Sequence, residues 1–420
     1  MSKSNLLREQ EVVTNDTLLA DDQKNHYRFW GDITSPYSCK LRTYMNYKGI
    51  PYKRMRVNMN AYMNVIPEKV GMTIIPVLLT PNDEVMQDTT PIMESMEAEY
   101  PEKSCIPTDA RLAFFMWLLE EFADEYAVRF SMHYRWGNEL NRDALSHRLA
   151  RTMCYGVPDI HPDQASSMIL DRQTGFDTAL GLTSNEIRDS LDQQLLDLLA
   201  ILDKHFESYQ FLLGKKPSLA DFALYGHLFA HLFNDPYSAR IMEHHGARTC
   251  NWMDTITEFG DTRGVIGQIE LGDWINLDAG IPETLTALLG FVAKTYIPYI
   301  TATALAAQQK QKSFEVDIYG IENTFLTFQY RAWSFEQLQQ RLTSLDKQSR
   351  KAIEVILLDA NIQPTMMENG IIHSNLYDGF TPPFIKDGVA DAKAKYLKEK
   401  QAKKERESGK ENQTILTSIT

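Results

Sequence analysis

The residues best placed for chemistry form the segment Ser35-Pro36-Tyr37-Ser38-Cys39, directly after a short apolar run. Ser35 can cap a helix whose first helical position suits Pro36, and its hydroxyl would then lie beside the unpaired N–H groups of the first turn. Those groups and the helix dipole favour a bound anion, to which a hydroxyl can donate a hydrogen bond. The alternative is that Ser35 only caps the helix. Ser38 could hydrogen-bond locally, and a cysteine at position 39 is more often a small buried hydrophobe than a nucleophile.

Other chemistry-bearing side chains have ordinary structural explanations. His227 and His231 show the i, i+4 spacing of a metal-binding pair, but no third ligand or HExxH pattern accompanies them, so helix packing is favoured and no metal is expected. A cluster of acids on one predicted helix is more typical of a solvated or ion-paired face than of a catalytic pair. These acids are Glu120, Glu121, Asp124 and Glu125.

Composition narrows the class of protein. The chain has 420 residues, of which 43% are hydrophobic and 24% charged, as in globular domains. Its net charge of −13 argues against a nucleic-acid partner, because phosphate binding needs a basic field. Its four cysteines lie far apart without a CxxC pair, which argues against a disulfide scaffold or zinc site. No apolar run of about 18 residues is seen, so the sequence predicts a cytoplasmic protein without a membrane span.

The elements that must position Ser35 follow a mixed strand and helix order. Strands are predicted at Tyr27–Trp30 and Tyr52–Val57, on either side of a helix that ends at Gly49. An apolar run at 74–79, interrupted by Pro76, and a short strand at 84–86 follow, with a looser segment at 58–72 before them. A further helix is capped by Asp88 or Thr89 and stops at Tyr100-Pro101. This order predicts a small sheet with helices packed on it.

The rest of the chain is mainly helical in pattern. Strong apolar periodicity covers 110–136 and 184–208, and Ser218-Leu219-Ala220-Asp221 begins a third helix with a capping-box variant. Strand-like alternation reappears at 314–320. The predicted helices after it are Phe335–Asp346 and Lys351–Ala360.

Three motifs, in this order along the chain, resemble the glutathione S-transferase family. Ser35-Pro36-Tyr37-Ser38-Cys39-Lys40-Leu41-Arg42 resembles the S-x-x-x-x-[RK]-x-[RK] opening of the serine-type zeta and tau classes. Ile75-Pro76-Val77-Leu78 resembles the family's VPVL segment, whose proline is cis, and Gln87–Ile92 resembles the E-S-x-x-I helix start. In addition, SLADFALYG resembles the family's capping motif, and Glu120–Trp136 is similar to certain bacterial members with long C-terminal extensions.

The resemblance covers about residues 26–300 and implies a fold. It implies an α/β thioredoxin-like N-terminal domain and an all-α helical-bundle domain, with a small α+β C-terminal extension. The expected divisions are a flexible leader at 1–25, the glutathione-binding domain at 26–104, the helical domain at 105–300, the extension at 301–380 and a charged, disordered tail at 381–420.

The resemblance also implies an activity, in which glutathione is the co-substrate. Ser35 would stabilise the glutathione thiolate for attack on a small hydrophobic electrophile, as in detoxification. The residues implied to bind glutathione are Tyr37, Ser38, Lys69, Ile75, Pro76, Asp88 and Thr89. Those implied for the electrophile pocket are Tyr126, Arg129, Tyr134 and Trp136.

Two alternatives stay open at this point. One is a non-catalytic binding or scaffolding protein that keeps the fold, suggested by the long additions to the chain. The other is a glutathione-dependent thiol oxidoreductase that uses Cys39. The family is usually dimeric, so a homodimer is expected unless the extension alters it.

Overall fold

The computed structural model describes residues 26–157, 160–259, 272–362, 370–374, 398 and 401. The predicted leader at 1–25 and nearly all of the predicted tail at 381–420 lie outside the described residues.

The N-terminal domain is built on a four-stranded sheet. Its strands have the spatial order β2-β1-β3-β4, in which β1 pairs parallel with β2 and antiparallel with β3, and β3 pairs antiparallel with β4. This arrangement confirms the predicted thioredoxin-like domain. The elements are β1 Tyr27–Trp30, α1 Pro36–Lys48, β2 Tyr52–Met55, α2 Ile66–Val70, β3 Val77–Leu79, β4 Val85–Gln87 and α3 Thr89–Glu99.

Local signals in the sequence explain the bounds of α1. The Ser35 side chain accepts a hydrogen bond from the Ser38 backbone N at 3.3 Å, and Pro36 occupies the first turn. Gly49 ends the helix at φ 73°, a left-handed conformation that costs glycine little. The Ile75–Pro76 peptide bond before β3 is cis, as the resemblance implies.

Two segments differ from the sequence prediction in the first half of the chain. The segment at 58–72 is not loose, because it contains a π-helical turn at Ala61–Val65 that continues into α2. The pattern at 110–136 is not one helix, since the backbone breaks at Tyr126-Ala127 into two helices.

Every helix or strand described in the second domain up to residue 308 is a helix, which confirms the predicted class. Asp221 accepts hydrogen bonds from the Ser218 backbone N at 2.8 Å and the Ser218 hydroxyl at 2.6 Å, so the predicted capping box is present. The helices are α4 Ala110–Glu125, α5 Val128–Gly137, α6 Glu139–Met153, α7 Pro162–Thr174, α8 Asn185–His205, α9 Leu219–His227, α10 Pro236–His245, α11 Ala247–Thr257 and α12 Glu283–Gln308.

Helix α12 continues past the predicted domain boundary at residue 300. By length and composition it could cross a membrane, and no other helix among the described residues passes that test. In the fold, 56% of its most apolar window is buried, as in the core helix of a globular domain. It packs against α4, α8 and the extension.

The extension is a hairpin followed by two helices. The hairpin turns at Tyr319 and Gly320, both with positive φ as a tight two-residue turn requires. It packs on α12, and the helix after it packs on both α12 and α4. The elements are β5 Ser313–Ile318, β6 Ile321–Leu326, α13 Gln329–Ser344 and α14 Lys347–Asp359.

Candidate functional site

Two adjoining cavities lie where the sheet domain meets the helical domain. The first, here named the apolar cavity, has a volume of about 340 Å³ and lies beside the start of α1. The second, the acidic cavity, has a volume of about 370 Å³ and lies at the start of α3. Tyr37, Ile74 and Ile75 line both, so an elongated ligand could pass from one to the other.

Ser35 lines the apolar cavity. Because its Oγ already accepts the hydrogen bond of the helix cap, its hydroxyl hydrogen can point toward a ligand. The opposite wall is one face of α5, where Val128, Met132 and Trp136 follow one another at intervals of four residues. The arrangement places a hydrogen-bond donor and a helix N-terminus at one end of an apolar space.

Buried side chains of the helical domain hold the loop before Ser35. Arg135 donates to the Thr34 carbonyl O at 2.6 Å and forms two hydrogen bonds of 2.7 Å with the Asp235 carboxylate. His231 Nε2 lies 3.1 Å from the same carbonyl O. These contacts join the two domains at the point where α1 begins.

The acidic cavity is formed at the N-terminus of α3. Asp88 caps this helix by accepting a hydrogen bond from the Thr90 backbone N at 3.2 Å. Burial raises the pKa of Asp88, although a hydrogen bond from Tyr330 and the charge of Lys40 oppose that rise. Thr89, Ile75 and the cis proline Pro76 complete this part of the wall. A helix N-terminus can bind the carboxylate of an amino acid, and a buried carboxylate beside it can bind the ammonium group of the same amino acid.

Asp124 and Glu125 of α4 line the acidic cavity, and Glu120 and Glu121 lie next to them on the same helix. Lys40 Nζ lies 2.6 Å from both Glu120 Oε1 and Asp124 Oδ2, so the cluster is ion-paired. Glu121 accepts a hydrogen bond from the Ser334 hydroxyl at 3.1 Å. Burial raises the pKa values of Glu121, Asp124 and Glu125. With Asp88 there are five carboxyl groups, and the cations that pair with them among the described residues are Lys40 and Arg331, so a ligand's ammonium group would offset buried negative charge.

The extension supplies the remaining wall of the acidic cavity. Phe328, Tyr330 and Arg331 line it, and Arg331 Nε lies 2.8 Å from Glu125 Oε2. Arg331 also donates to the Tyr299 hydroxyl on α12. No sequence motif pointed to these residues, because their role depends on a contact between segments about 200 residues apart.

Seven predicted site residues come together at the two cavities. They are Ser35, Tyr37, Ile75, Pro76, Asp88, Thr89 and Trp136. The Tyr37 hydroxyl donates to the Asp124 backbone O at 3.0 Å, which leaves Ser35 better placed than Tyr37 to donate to a ligand.

The other five predicted residues line neither cavity. Ser38 is buried within α1, and Lys69 Nζ lies 5.7 Å from the centre of the Trp30 ring. Tyr126 and Arg129 are buried in the helical core, where Arg129 donates to the Tyr126 hydroxyl at 2.8 Å and to Asn323 of β6 at 2.7 Å. Tyr134, which lies on α5 like Arg129, is also buried. The face of α5 that meets the apolar cavity is the one that carries Val128, Met132 and Trp136.

Cys39 is not in a position typical of a reactive thiol. Its Sγ is buried, donates to the Ile33 carbonyl O at 3.1 Å and lines neither cavity. Burial raises the pKa of Cys39 to about 11, so the thiolate is scarce at neutral pH. Within the described ranges no group of three or more His, Cys, Asp or Glu side chains could hold a metal ion.

Two family profiles match the chain. The glutathione S-transferase N-terminal domain matches residues 31–104, and the glutathione S-transferase C-terminal domain matches residues 185–248. The cavities lie at the first of these domains and at the helices that face it. No protein of curated function has a detectable sequence match to this chain.

Solved structures of low sequence identity are similar to this chain over part of its length. A beta-etherase from Sphingobium sp. strain SYK-6 is 18% identical, with a TM-score of 0.40, over 55% of this chain and 94% of that one. A glutathione S-transferase from Rhodospirillum rubrum F11 is 16% identical, with a TM-score of 0.38, over 60% of this chain and 98% of that one. A glutathione transferase from Phanerochaete chrysosporium is 19% identical, with a TM-score of 0.39, over 56% of this chain and 98% of that one.

Proposed function

Because the chain belongs to the glutathione S-transferase family through residues 31–104 and 185–248, we propose that it binds glutathione and activates its thiol for transfer to an electrophile. The observation that carries this proposal is the junction of the two cavities. The shared lining residues Tyr37, Ile74 and Ile75 connect Asp88 at one end with Ser35 at the other. Glutathione, an elongated tripeptide, would extend along this path.

The acidic cavity suits the γ-glutamyl end of glutathione. The ammonium group would pair with Asp88 and relieve the excess of buried carboxylates on α4. The carboxylate of the same group would accept hydrogen bonds from the Thr89 hydroxyl and from the backbone N–H groups at the start of α3. The cysteinyl backbone would then pass Ile75, which lies next to the cis proline.

The apolar cavity suits the reaction itself. The Ser35 hydroxyl would donate a hydrogen bond to the glutathione sulfur, and the N-terminus of α1 would favour the thiolate further. A stabilisation of about 2–3 kcal/mol lowers a thiol pKa by about two units. The thiolate would attack an electrophilic carbon held against Val128, Met132 and Trp136, and the leaving group would depart with its electron pair.

The two alternatives make different demands on the chain. A thiol oxidoreductase needs an accessible thiolate, and the buried, hydrogen-bonded Cys39 does not offer one. A non-catalytic scaffold would need Ser35 only as the cap of α1, so it predicts no effect of this hydroxyl on a bound thiol. A homodimer, a cytoplasmic location and a role in detoxification remain predictions from the sequence.

The substitution Asp88→Asn tests glutathione binding most simply. Asparagine keeps the α3 cap but removes the charge, so the dissociation constant for glutathione should rise about tenfold to a hundredfold, measured by titration calorimetry. Glu102→Gln, an exposed acid in the loop after α3, is the matched control and should leave binding unchanged. Absence of glutathione binding by the unmodified protein, or equal affinity in all three proteins, would contradict the proposal.

Conjugation to chlorodinitrobenzene tests the transfer step. The unmodified protein should form the glutathione conjugate faster than the solution reaction at the same pH. A protein that binds glutathione but shows no conjugation with any electrophile would support the scaffold alternative instead.

A further inference from the structure

A third cavity lies at the outer end of the apolar cavity and differs from it in charge. It has a volume of about 590 Å³ and shares Asp32, Val57 and Thr152 with the apolar cavity. We name it the arginine cleft, because Arg54, Arg56 and Arg151 all line it. Nothing in the proposed binding of glutathione accounts for these three cations.

The arginines come from two separate elements that meet at the cleft. Arg54 and Arg56 lie at the end of β2 and directly after it, and Arg151 lies in the last turn of α6. The guanidinium of Arg56 stacks 3.7 Å from the centre of the Tyr155 ring, which holds it toward the cleft. The backbone carbonyl of Tyr155 is in turn bonded to Asn58 at 3.1 Å, so the two elements are tied together.

The single acid in the lining is already engaged. Asp32 Oδ1 accepts hydrogen bonds from the backbone N of Thr34 at 2.9 Å and from its hydroxyl at 2.6 Å. Its Oδ2 lies 3.7 Å from Arg54 Nη2. Neither Arg56 nor Arg151 forms an ion pair with a described residue. The lining therefore carries a local excess of positive charge in a chain whose net charge is −13.

We propose that the arginine cleft binds the anionic group of the second substrate, so that the preferred electrophile has an apolar body and a carboxylate, sulfonate or phosphate at its far end. The apolar body would occupy the apolar cavity next to Ser35, and the anion would reach Arg56 and Arg151 past Val57 and Thr152. Planar guanidinium groups match such anions through paired N–H donors. That the bound molecule is a substrate rests on the proposed transferase function, but the presence of an anion-binding site does not.

A pair of fluorescent probes tests the site without glutathione. Anilinonaphthalene sulfonate and phenylnaphthylamine share an apolar skeleton, but only the first carries an anion. The double variant R56Q/R151Q should weaken binding of the sulfonate about tenfold, which corresponds to ~1.4 kcal/mol, and should change binding of the neutral probe less than twofold. Lys53→Gln is the matched control, because Lys53 is an exposed cation of β2, three residues before Arg56, that does not line the cleft. Equal loss of both probes, or no loss of the sulfonate, would overturn the proposal.

A pair of electrophiles tests the same site during turnover. For R56Q/R151Q, kcat/KM should fall about tenfold with chlorodinitrobenzoate and less than twofold with neutral chlorodinitrobenzene, while the dissociation constant for glutathione stays the same. A loss of glutathione affinity in this variant would assign the arginines to a glutathione carboxylate and overturn the proposal. If the unmodified protein conjugates neither electrophile, the transferase function fails, and the two probes still decide whether the anion site exists.

Discussion

At the scale of single residues, the chemistry proposed for Ser35 depends on side chains that never touch the ligand. Arg135 and His231 both bond the Thr34 carbonyl O, one residue before Ser35, and Asp235 fixes the Arg135 guanidinium from the other side. Because Arg135 and Asp235 are fully buried, removing either would leave an uncompensated charge. The position of the hydroxyl is thus set by the helical domain.

His227 gives a pH dependence that can be measured. It is buried, its Nδ1 lies 3.0 Å from the Ser131 hydroxyl, and its ring contacts the Tyr37 ring edge-on with centroids 5.2 Å apart. Burial lowers its pKa to about 3. The unfolded chain takes up a proton near pH 6.5 and the folded protein only near pH 3, so stability is lost as the pH falls through this window. Through this residue alone, the free energy of unfolding should fall by about 2 kcal/mol between pH 7 and pH 5.

Urea unfolding at the two pH values isolates that contribution. His227→Gln should be about 2 kcal/mol less sensitive to the change from pH 7 to pH 5 than the unmodified protein. His147→Gln, at an exposed position on α6, is the control and should retain the full sensitivity. If His227→Gln and the unmodified protein lose equal stability, the histidine is not held neutral in the fold.

At the scale of elements, the hydrogen bonds of α13 connect the extension to the acidic cavity. Arg331 lies between Glu125 of α4 and Tyr299 of α12, and its side chain is 11% exposed. Arg331→Met should destabilise the protein by about 3–5 kcal/mol, because it leaves the Glu125 carboxylate buried without its cation. The free energy of unfolding in urea measures this loss.

The same helix provides the control. Arg341 pairs with the Glu94 carboxylate at 2.9 Å, but the Arg341 and Glu94 side chains are 30% and 46% exposed, so Arg341→Met should cost about 1 kcal/mol or less through that ion pair. The double variant R331M/E125Q should recover part of the stability lost in Arg331→Met. Equal effects of the two single substitutions would show that α13 is not coupled to the acidic cavity through Arg331.

Local sequence signals account for the elements that could be predicted. Helix α1 is marked by Ser35, Pro36 and Gly49, each of which acts within one turn of its own position. Strand β6 was not predicted, because the inward position of Asn323 interrupts the apolar alternation. Asn323 is buried with its Oδ1 accepting a hydrogen bond from Arg129, a residue far away in sequence. The break between α4 and α5 was missed for a similar reason, since the apolar pattern continues through Tyr126.

The candidate site shows the same division between local and distant causes. Ser35 and Asp88 could be predicted because each stands at a helix start in a recognisable motif. Of the α5 face that lines the apolar cavity, the resemblance implied Trp136 but not Val128 or Met132, since the register of that face depends on how α5 turns relative to the sheet. Tyr330 and Arg331 reach the acidic cavity through packing of the extension on α4 and α12, which no local pattern records.

At the scale of the whole molecule, the extension forms part of the wall of the cavities. Its hairpin packs on α12, its helix α13 packs on α4 and α12, and Phe328 lines the acidic cavity together with Tyr330 and Arg331 of the first turn of α13. The two domains and the extension therefore each contribute to one continuous path of cavities. Along this path the lining changes from acidic, through apolar, to basic at the arginine cleft.

The measurement that tests the central claim most directly is the pKa of the glutathione thiol when bound. Its thiolate absorbs in the ultraviolet, so a pH titration of the complex reports the ionised fraction. We predict a pKa about two units below that of free glutathione in the unmodified protein and in Ser38→Ala, and a return most of the way to the free value in Ser35→Gly. Glycine is chosen because it costs the α1 cap only a few tenths of a kcal/mol. A bound thiol that titrates like free glutathione, or that titrates identically with and without the Ser35 hydroxyl, would contradict the account.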